Sequence, residues 1–241
     1  MPAIPSSLGA ADLAQMIDIS AVQAFHTEAD VRSLADLAVA QGFVAAHALP
    51  NFVPLLRSLI PEGGRTLVGG PIGFPAGGHM TAIKVTEAKA LREAGADELD
   101  LMMNVGRLKS GDLAYVRDEV AAVIEAAAPV PIKVIIELHH LTDAEMETAA
   151  EIVAASGAAF VKTGTGWTPA AATLPRIRRI AAVVAGRAGI KASGGIRDLD
   201  TVAAMVGMGV TRFGINTTSA TELVERVRAL PGGRLPIQAQ G

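Results

Sequence analysis

Eight short apolar runs, each followed by an amphipathic stretch, constrain this chain more than any other feature. The runs are MIDISAV (16–22), FVAAHAL (43–49), TLVGGPIGF (66–74), ELDLMMN (98–104), PIKVIIEL (131–138), AAFVKTG (158–164), AGIKASG (188–194) and TRFGIN (211–216). Each is too short to stand alone as a helix and reads as a buried strand. Segments 28–42, 81–95, 110–127 and 142–157 have helical spacing between them. Thr142 with Glu145 three residues on makes a capping box, and Ser110 with Asp112 places an acid at a helix start. Gly42, Gly95, Gly157 and Gly209 close helices, because glycine tolerates the left-handed conformation of a helix stop, and a strand follows each within a few residues. Strands alternating with helices point to a parallel sheet covered on both faces. Eight such units in 241 residues match the ~250 residues of a (β/α)₈ barrel. The rival open sheet of dinucleotide-binding proteins asks for G-x-G-x-x-G after the first strand, and none is there. The chain is therefore predicted to be α/β, a single TIM-barrel domain over 1–241, with 1–12 and 232–241 as loose ends.

Composition removes several function classes. Twenty-one Lys+Arg against 24 Asp+Glu leave a formal charge of −3, so no global field attracts nucleic acid or an anionic membrane, and any anion must be held locally. The absence of cysteine excludes disulfides, thiolate catalysis and cysteine-based zinc sites. The first twenty residues lack a cationic start and a long apolar stretch, so they do not read as a signal peptide. No segment reaches the ~18–20 apolar residues of a membrane span. A cytosolic globular protein is expected.

In a barrel, chemistry sits where strands finish, so charged residues late in apolar runs are the candidates: Asp18, Asp100, Glu137, Lys162 and Lys191. A lysine inside a barrel strand is costly unless paired, because burial disfavours the ammonium form. The same cost makes a nucleophile, since imine chemistry near neutrality needs an amine whose ordinary pKa of ~10.4 has been lowered by burial or a neighbouring cation. Lys162 and Lys191 occupy equivalent places in successive strands, so each disfavours the other's charge. The bland alternative is a pair of structural ion pairs. Asp100, between Leu99 and Leu101, faces the lumen if those leucines face the helices, and can neutralise one lysine while moving protons for the other. Asp18 carries the same signature. Glu137 is expected to support the lysine network, whereas Asp97 and Glu98, at the start of their strand, read as solvated.

Glycines cluster after the last three strands: Gly164, Gly166, Gly194, Gly195 and Gly214. Loops there commonly hold phosphate through exposed backbone N–H groups at helix starts. SGGIRD (193–198), running into a helix from about Leu199, fits that use, with Arg197 as a cation. His139 and His140 are adjacent and lack a partner at helical spacing, so they read as loop residues rather than metal ligands. His47 and His79 are expected to line the pocket, Trp167 to be a lid or packing residue, and Met102 and Met103 to be core.

The phrases VKTGTGW, IKASGGIRD, GADELD, VIIE and IGFPAGGHMTAIKVTEAK together resemble deoxyribose-phosphate aldolase, the DeoC-type class I aldolase family, whose usual phrases are close to VKTSTGF, VKASGGIR, GADEIDMVIN and IGFPLG. The likeness runs in order from about residue 12 to 217. It implies a barrel that works without metal or cofactor, is cytoplasmic and often dimeric, and takes small aldehyde and sugar-phosphate substrates. The implied reaction is reversible cleavage of 2-deoxyribose 5-phosphate to acetaldehyde and glyceraldehyde 3-phosphate. By position it makes Lys162 the Schiff-base lysine, Lys191 the second lysine, Asp100 the relay aspartate and Asp18 the strand-one aspartate. It places substrate and phosphate contacts on Thr165, Gly166, Gly194, Gly195, Gly214, Asn216 and Thr217.

The departures fall at the substrate end. Gly164 stands for the family's serine, Asn216 and Thr217 for its two serines, and Leu138 and His139 for a small or thiol residue. The first strand reads IDISAV rather than IDHTLL, and a carboxyl-terminal tyrosine found in some members is missing. The lysine chemistry is intact. The alternatives are the same imine chemistry on a related phosphorylated or free hydroxyaldehyde, and a non-catalytic phosphosugar-binding barrel. A metal-dependent aldolase has no convergent set of histidine and carboxylates in the sequence to support it.

Overall fold

A computed structural model describes residues 4–168 and 172–239. Its centre is a closed barrel of eight strands: β2 (Ile17–Ala21), β3 (Ala45–Ala48), β4 (Leu67–Ile72), β5 (Glu98–Met102), β6 (Ile132–Ile135), β7 (Phe160–Lys162), β8 (Gly189–Ser193) and β9 (Arg212–Gly214). Every neighbouring pair is parallel, and β9 closes onto β2. One principal helix follows each strand: α2 (Glu28–Gln41), α3 (Val53–Leu59), α4 (Thr81–Glu93), α6 (Leu113–Ala127), α7 (Asp143–Ala155), α8 (Leu174–Val184), α9 (Leu199–Gly207) and α10 (Thr217–Arg228). Short α1 (Ala10–Ala14) and α5 (Val105–Lys109) precede β2 and α6. All eight apolar runs are strands of one barrel, as the alternation predicts.

Alternation along each strand sorts the residues. In β5, Leu99 and Leu101 are fully buried on the outer face while Glu98 and Asp100 point inward; Ile132 and Val134 flank inward Lys133 in β6, and Ile190 and Ala192 flank Lys191 in β8. The apolar core is thus the shell between barrel and helices, and the lumen is left to charge. The expected caps are present. Thr142 Oγ1 accepts from Glu145 N–H, and the Glu145 carboxylate accepts from Thr142 N–H. The helix stops at Gly42, Gly95, Gly157 and Gly209 all have positive φ, from 68° to 93°. Between α4 and α6, fully buried Lys84 donates to Glu119 and to the Met102 carbonyl, tying both helices to the end of β5.

The ends differ from expectation. Where described, segments 1–12 and 232–241 are not loose. β1 (Ser7–Gly9) pairs antiparallel with β10 (Arg234–Pro236), and Arg234 donates to Ser7 Oγ and the Ser7 carbonyl. Leu8, Leu235 and Ile237 are buried, which explains the order: apolar residues in both ends have a common core to cover. Residues 1–3 and 240–241 lie outside the described residues. Deleting 234–241 is expected to lower stability by several kcal/mol, since losing the burial of Leu235 and Ile237 alone costs roughly 3–6 kcal/mol. A urea midpoint matching that of the full chain would show the clasp to be idle.

Candidate active site

The barrel lumen holds a closed set of charges. Asp100 Oδ2 accepts from Lys162 Nζ at 2.7 Å and from Lys191 Nζ at 2.9 Å. Lys191 Nζ also reaches Asp18 Oδ2 at 2.5 Å. Below them Glu98 pairs with Lys133 and with Arg212, whose other nitrogen lies 3.2 Å from Asp18 Oδ1. Lys133 Nζ stands 3.4 Å from Asp100 Oδ1. The register produces this by setting Asp100 beside Lys133, Lys162 beside Lys191 and Lys191 beside Arg212 on adjacent strands. Four cations (Lys133, Lys162, Lys191 and Arg212) therefore face three carboxylates (Asp18, Glu98 and Asp100), all of them buried.

That surplus sets the titration. Burial, helped by the Lys191 and Lys133 charges and opposed by Asp100, pushes the Lys162 amine down to about 8. Burial also works against the charge on Lys191, but the carboxylates of Asp100, Asp18 and Glu98 outweigh it and hold Lys191 above the ordinary lysine range. Burial favours the neutral form of Asp100, yet Lys162, Lys191 and Lys133 together keep its carboxyl well below the usual range. Asp18 is lowered in the same way by Lys191, Lys133 and Arg212. Two lysines on adjacent strands thus differ in kind: one is poised to lose its proton near neutrality, and the other rests as the ammonium.

Above the charges, at the carboxyl ends of the strands, opens a cavity of about 540 Å³. Lys162, Lys191, Asp100 and Asp18 form its floor, and Thr165, Gly166, Gly194, Gly195, Gly214, Asn216 and Thr217 all line it. Gly166, Gly194 and Gly195 have φ of 80°, 94° and 73°, conformations that expose backbone and suit only glycine without strain. Asp198 caps α9 by accepting from Thr201 N–H, and Asn216 caps α10 by accepting from Ser219 N–H. Both helices therefore begin at the cavity wall, and Arg197 stands there too. Phe74 and Trp167 meet edge to face, with centroids 5.6 Å apart, and close one side of the mouth.

The fold gathers every candidate catalytic and substrate-side residue into one cavity, but it revises four readings. Glu98 is not solvated; it is 2% exposed and holds Lys133 and Arg212. Glu137 does not touch the lysines. Its carboxylate accepts from Thr165 Oγ1 at 2.5 Å and from Thr165 N–H, bracing the loop after β7. His79 is exposed rather than in the pocket, while His47 does line it. Asp18, His47 and Glu98 do converge, with ligand atoms within 4.8 Å of one another. Their carboxylates already serve Lys133, Lys191 and Arg212, so a divalent ion there would meet three like charges. Lys133 and Arg212 join the lumen without being candidates in the sequence; Lys133 carries a local signal, a single cation between apolar Ile132 and Val134, whereas Arg212 stands between polar Thr211 and Phe213 and carries none.

Comparison with known proteins identifies the family. The model of the DeoC/LacD family aldolases matches residues 12–215. A deoxyribose-phosphate aldolase of Sinorhizobium medicae is 68% identical over 233 residues, 97% of this chain and 94% of that protein. One of Klebsiella pneumoniae is 44% identical over 220 residues, covering 90% and 88%. Among solved structures, the tetrameric deoxyribose phosphate aldolase of Aeropyrum pernix superposes with a TM-score of 0.79 at 30% identity, over 92% of this chain and 93% of that one. No helix among the described residues is long and apolar enough to cross a membrane. A family match over most of the length, relatives of this identity and a barrel that presents two lysines on one aspartate lead to one assignment: the chain belongs to the DeoC/LacD family of aldolases.

Proposed function

We propose that the chain is a class I aldolase that reversibly cleaves 2-deoxyribose 5-phosphate to acetaldehyde and glyceraldehyde 3-phosphate, with Lys162 as the Schiff-base lysine. The observation that carries this reading is the sharing of Asp100 Oδ2 by Lys162 and Lys191 in a lumen with one cation too many. A lysine at about 8 is neutral in roughly a tenth of molecules at pH 7, against about three in ten thousand at the ordinary lysine value of 10.5. Neutral Lys162 attacks the substrate aldehyde, loses water and becomes an iminium. Cleavage of the bond between the α and β carbons sends its electron pair into the iminium, leaving an enamine on Lys162 and releasing glyceraldehyde 3-phosphate. Lys191, kept cationic by Asp100 and Asp18, supplies the proton that Asp100 passes to the enamine carbon, and hydrolysis frees acetaldehyde. The iminium is the electron sink, so the chemistry asks for no metal or cofactor.

The phosphate is assigned to the glycine-lined wall, where Gly194, Gly195 and the starts of α9 and α10 offer backbone N–H groups beside Arg197, and Gly166, Gly214 and Thr217 complete the recess. Asn216 spends its side chain on its own helix, donating to Ser219 Oγ and accepting from Ser219 N–H, so it shapes this recess more than it binds in it. Thr165 is held by Glu137 and is assigned to the substrate's middle hydroxyls. A homo-oligomer working in the cytoplasm on carbohydrate breakdown completes the proposal, the first part supported by the tetrameric Aeropyrum pernix relative.

Two outcomes follow. Borohydride added with acetaldehyde is expected to fix a two-carbon adduct on Lys162, found by peptide mass; folded protein without any adduct removes the imine. In the pH profile, kcat/KM rises with pH through about 8 as Lys162 loses its proton. Lys191→Leu deletes a cation that lowers Lys162, so the rising limb moves to higher pH and turnover at pH 7 falls by at least ~10-fold. An unmoved limb in a folded Lys191→Leu protein would separate the two lysines.

A further inference from the structure

The loop after β2 lines the cavity and has no task in the reading above. It carries His26, which is half-buried and lines the cavity beside Gln23. The ring is fixed by its own turn. His26 N–H donates to the Gln23 carbonyl at 3.0 Å, and His26 Nδ1 accepts from Gln23 N–H at 3.1 Å. Phe25 meets the ring edge to face, with centroids 5.1 Å apart. A backbone N–H aimed at Nδ1 claims its lone pair, so the ring proton sits on Nε2 and makes that nitrogen a donor. Nε2 has no partner among the described residues and is open to solvent. The acids that follow are spent inside α2: Asp30 accepts from Thr27 N–H and Thr27 Oγ1, and Glu28 pairs with Arg32.

The barrel decides which part of a substrate meets this donor. β2 closes the ring against β9, and β9 lies beside β8, so the loops after these three strands are neighbours on the rim. Asp18 is level with Gly214, and Ile215 N–H donates to the Asp18 carbonyl at 3.1 Å, which brings the two segments out of the barrel side by side. β9 then runs into Asn216 and the start of α10, while β2 runs into the turn that holds His26. Asp18 lies on the floor with the lysines, whereas His26 lies beyond the end of its strand. A substrate held as an imine on Lys162 therefore brings its far end, the phosphate, to the height of His26. The phosphate recess has also lost a side-chain donor on its β9 side, because the Asn216 amide is bonded to Ser219.

We infer that His26 is a specificity-determining residue for the phosphate: its Nε2–H donates to a phosphate oxygen from the β2 side of the recess, while Arg197 and the starts of α9 and α10 hold the group from the β8 and β9 side. A hydrogen bond to an ionised acceptor is stronger than one between neutral groups. The donor itself is neutral, so it binds the anion without altering the charge balance that sets Lys162.

This inference rests on the aldolase reading and its phosphate recess, and the test tells their failures apart. His26→Asn keeps an acceptor for Gln23 N–H and removes Nε2. Its KM for 2-deoxyribose 5-phosphate is expected to rise at least ~10-fold, the size of a lost hydrogen bond to a charged group, with kcat within ~2-fold. Cleavage of free 2-deoxyribose is expected to stay within ~2-fold, and competitive inhibition by inorganic phosphate to weaken by the same ~10-fold. His26→Gln, whose amide extends toward the place of Nε2, is expected to recover most of the loss in KM. An unchanged KM in His26→Asn overturns the proposal, and an equal loss for both sugars makes His26 a support of its loop and overturns it too. Native protein that cleaves both sugars equally well removes the phosphate recess, and the proposal with it. Native protein that cleaves neither sinks the aldolase reading, and calorimetric titration with inorganic phosphate then decides alone: weaker binding to His26→Asn supports the donor, and equal binding overturns it.

Discussion

One carboxylate oxygen, Asp100 Oδ2, receives two ammonium groups, and the arrangement of the lumen follows from that. Buried charge is tolerated only when it is paired, and the lumen pairs all but one of its charges. With Lys162 protonated, four cations face three carboxylates; with Lys162 neutral, the count is three to three. The proton that leaves belongs to Lys162 because Lys191 answers to Asp18 as well as Asp100, whereas Lys162 has Asp100 alone. The readily neutralised amine of Lys162 therefore comes from an imbalance distributed over six strands, with Arg212 and Lys133 satisfying Glu98 and Asp18 from below so that no spare carboxylate can rescue its ammonium. This also gives the parallel barrel a chemical use: a closed ring of strands, all pointing one way, brings seven charges from six strands into one dry space.

The architecture was largely legible in the amino-acid sequence because its signals are local. Runs of alternating burial, a capping box at Thr142 and Glu145, and glycine at the helix stops each depend on neighbours within a few residues. Lys162, Lys191, Asp100 and Asp18 were legible for the same reason, each an ionisable residue enclosed by apolar ones near a strand end. Glu98, Lys133 and Arg212 were not. Glu98 follows Asp97 and opens its strand, so it resembles a solvated edge; only period-two alternation with Asp100 places it inside, and only the register of β5 against β6 gives it Lys133. Register around a closed barrel is a long-range property, and no window along the chain contains it. The paired ends failed for a similar reason, since β1 and β10 lie more than two hundred residues apart, as the Ser7 to Arg234 contact shows.

The departures from the family pattern gain a physical meaning at the loop after β7. Glu137 adopts φ 46°, a left-handed conformation unusual for a residue with a Cβ, and turns its carboxylate under the loop to hold Thr165 by side chain and backbone. A Cβ at residue 164 would stand 2.8 Å from Glu137 Oε1. Gly164 therefore makes room for the brace, and the serine of the family pattern could enter only if the carboxylate moved. Thr165 Oγ1 in turn accepts from Trp167 N–H, so the brace reaches the residue that packs on Phe74 at the mouth. A substitution that looks like the loss of a polar contact is better read as a tighter hold on the loop. The two ends of the cavity accordingly differ in what sets them: the lysine end is fixed by strands in register, whereas the substrate end is fixed by side chains that brace loops, and it is there that one residue exchanged for another can reshape the space without disturbing the amine.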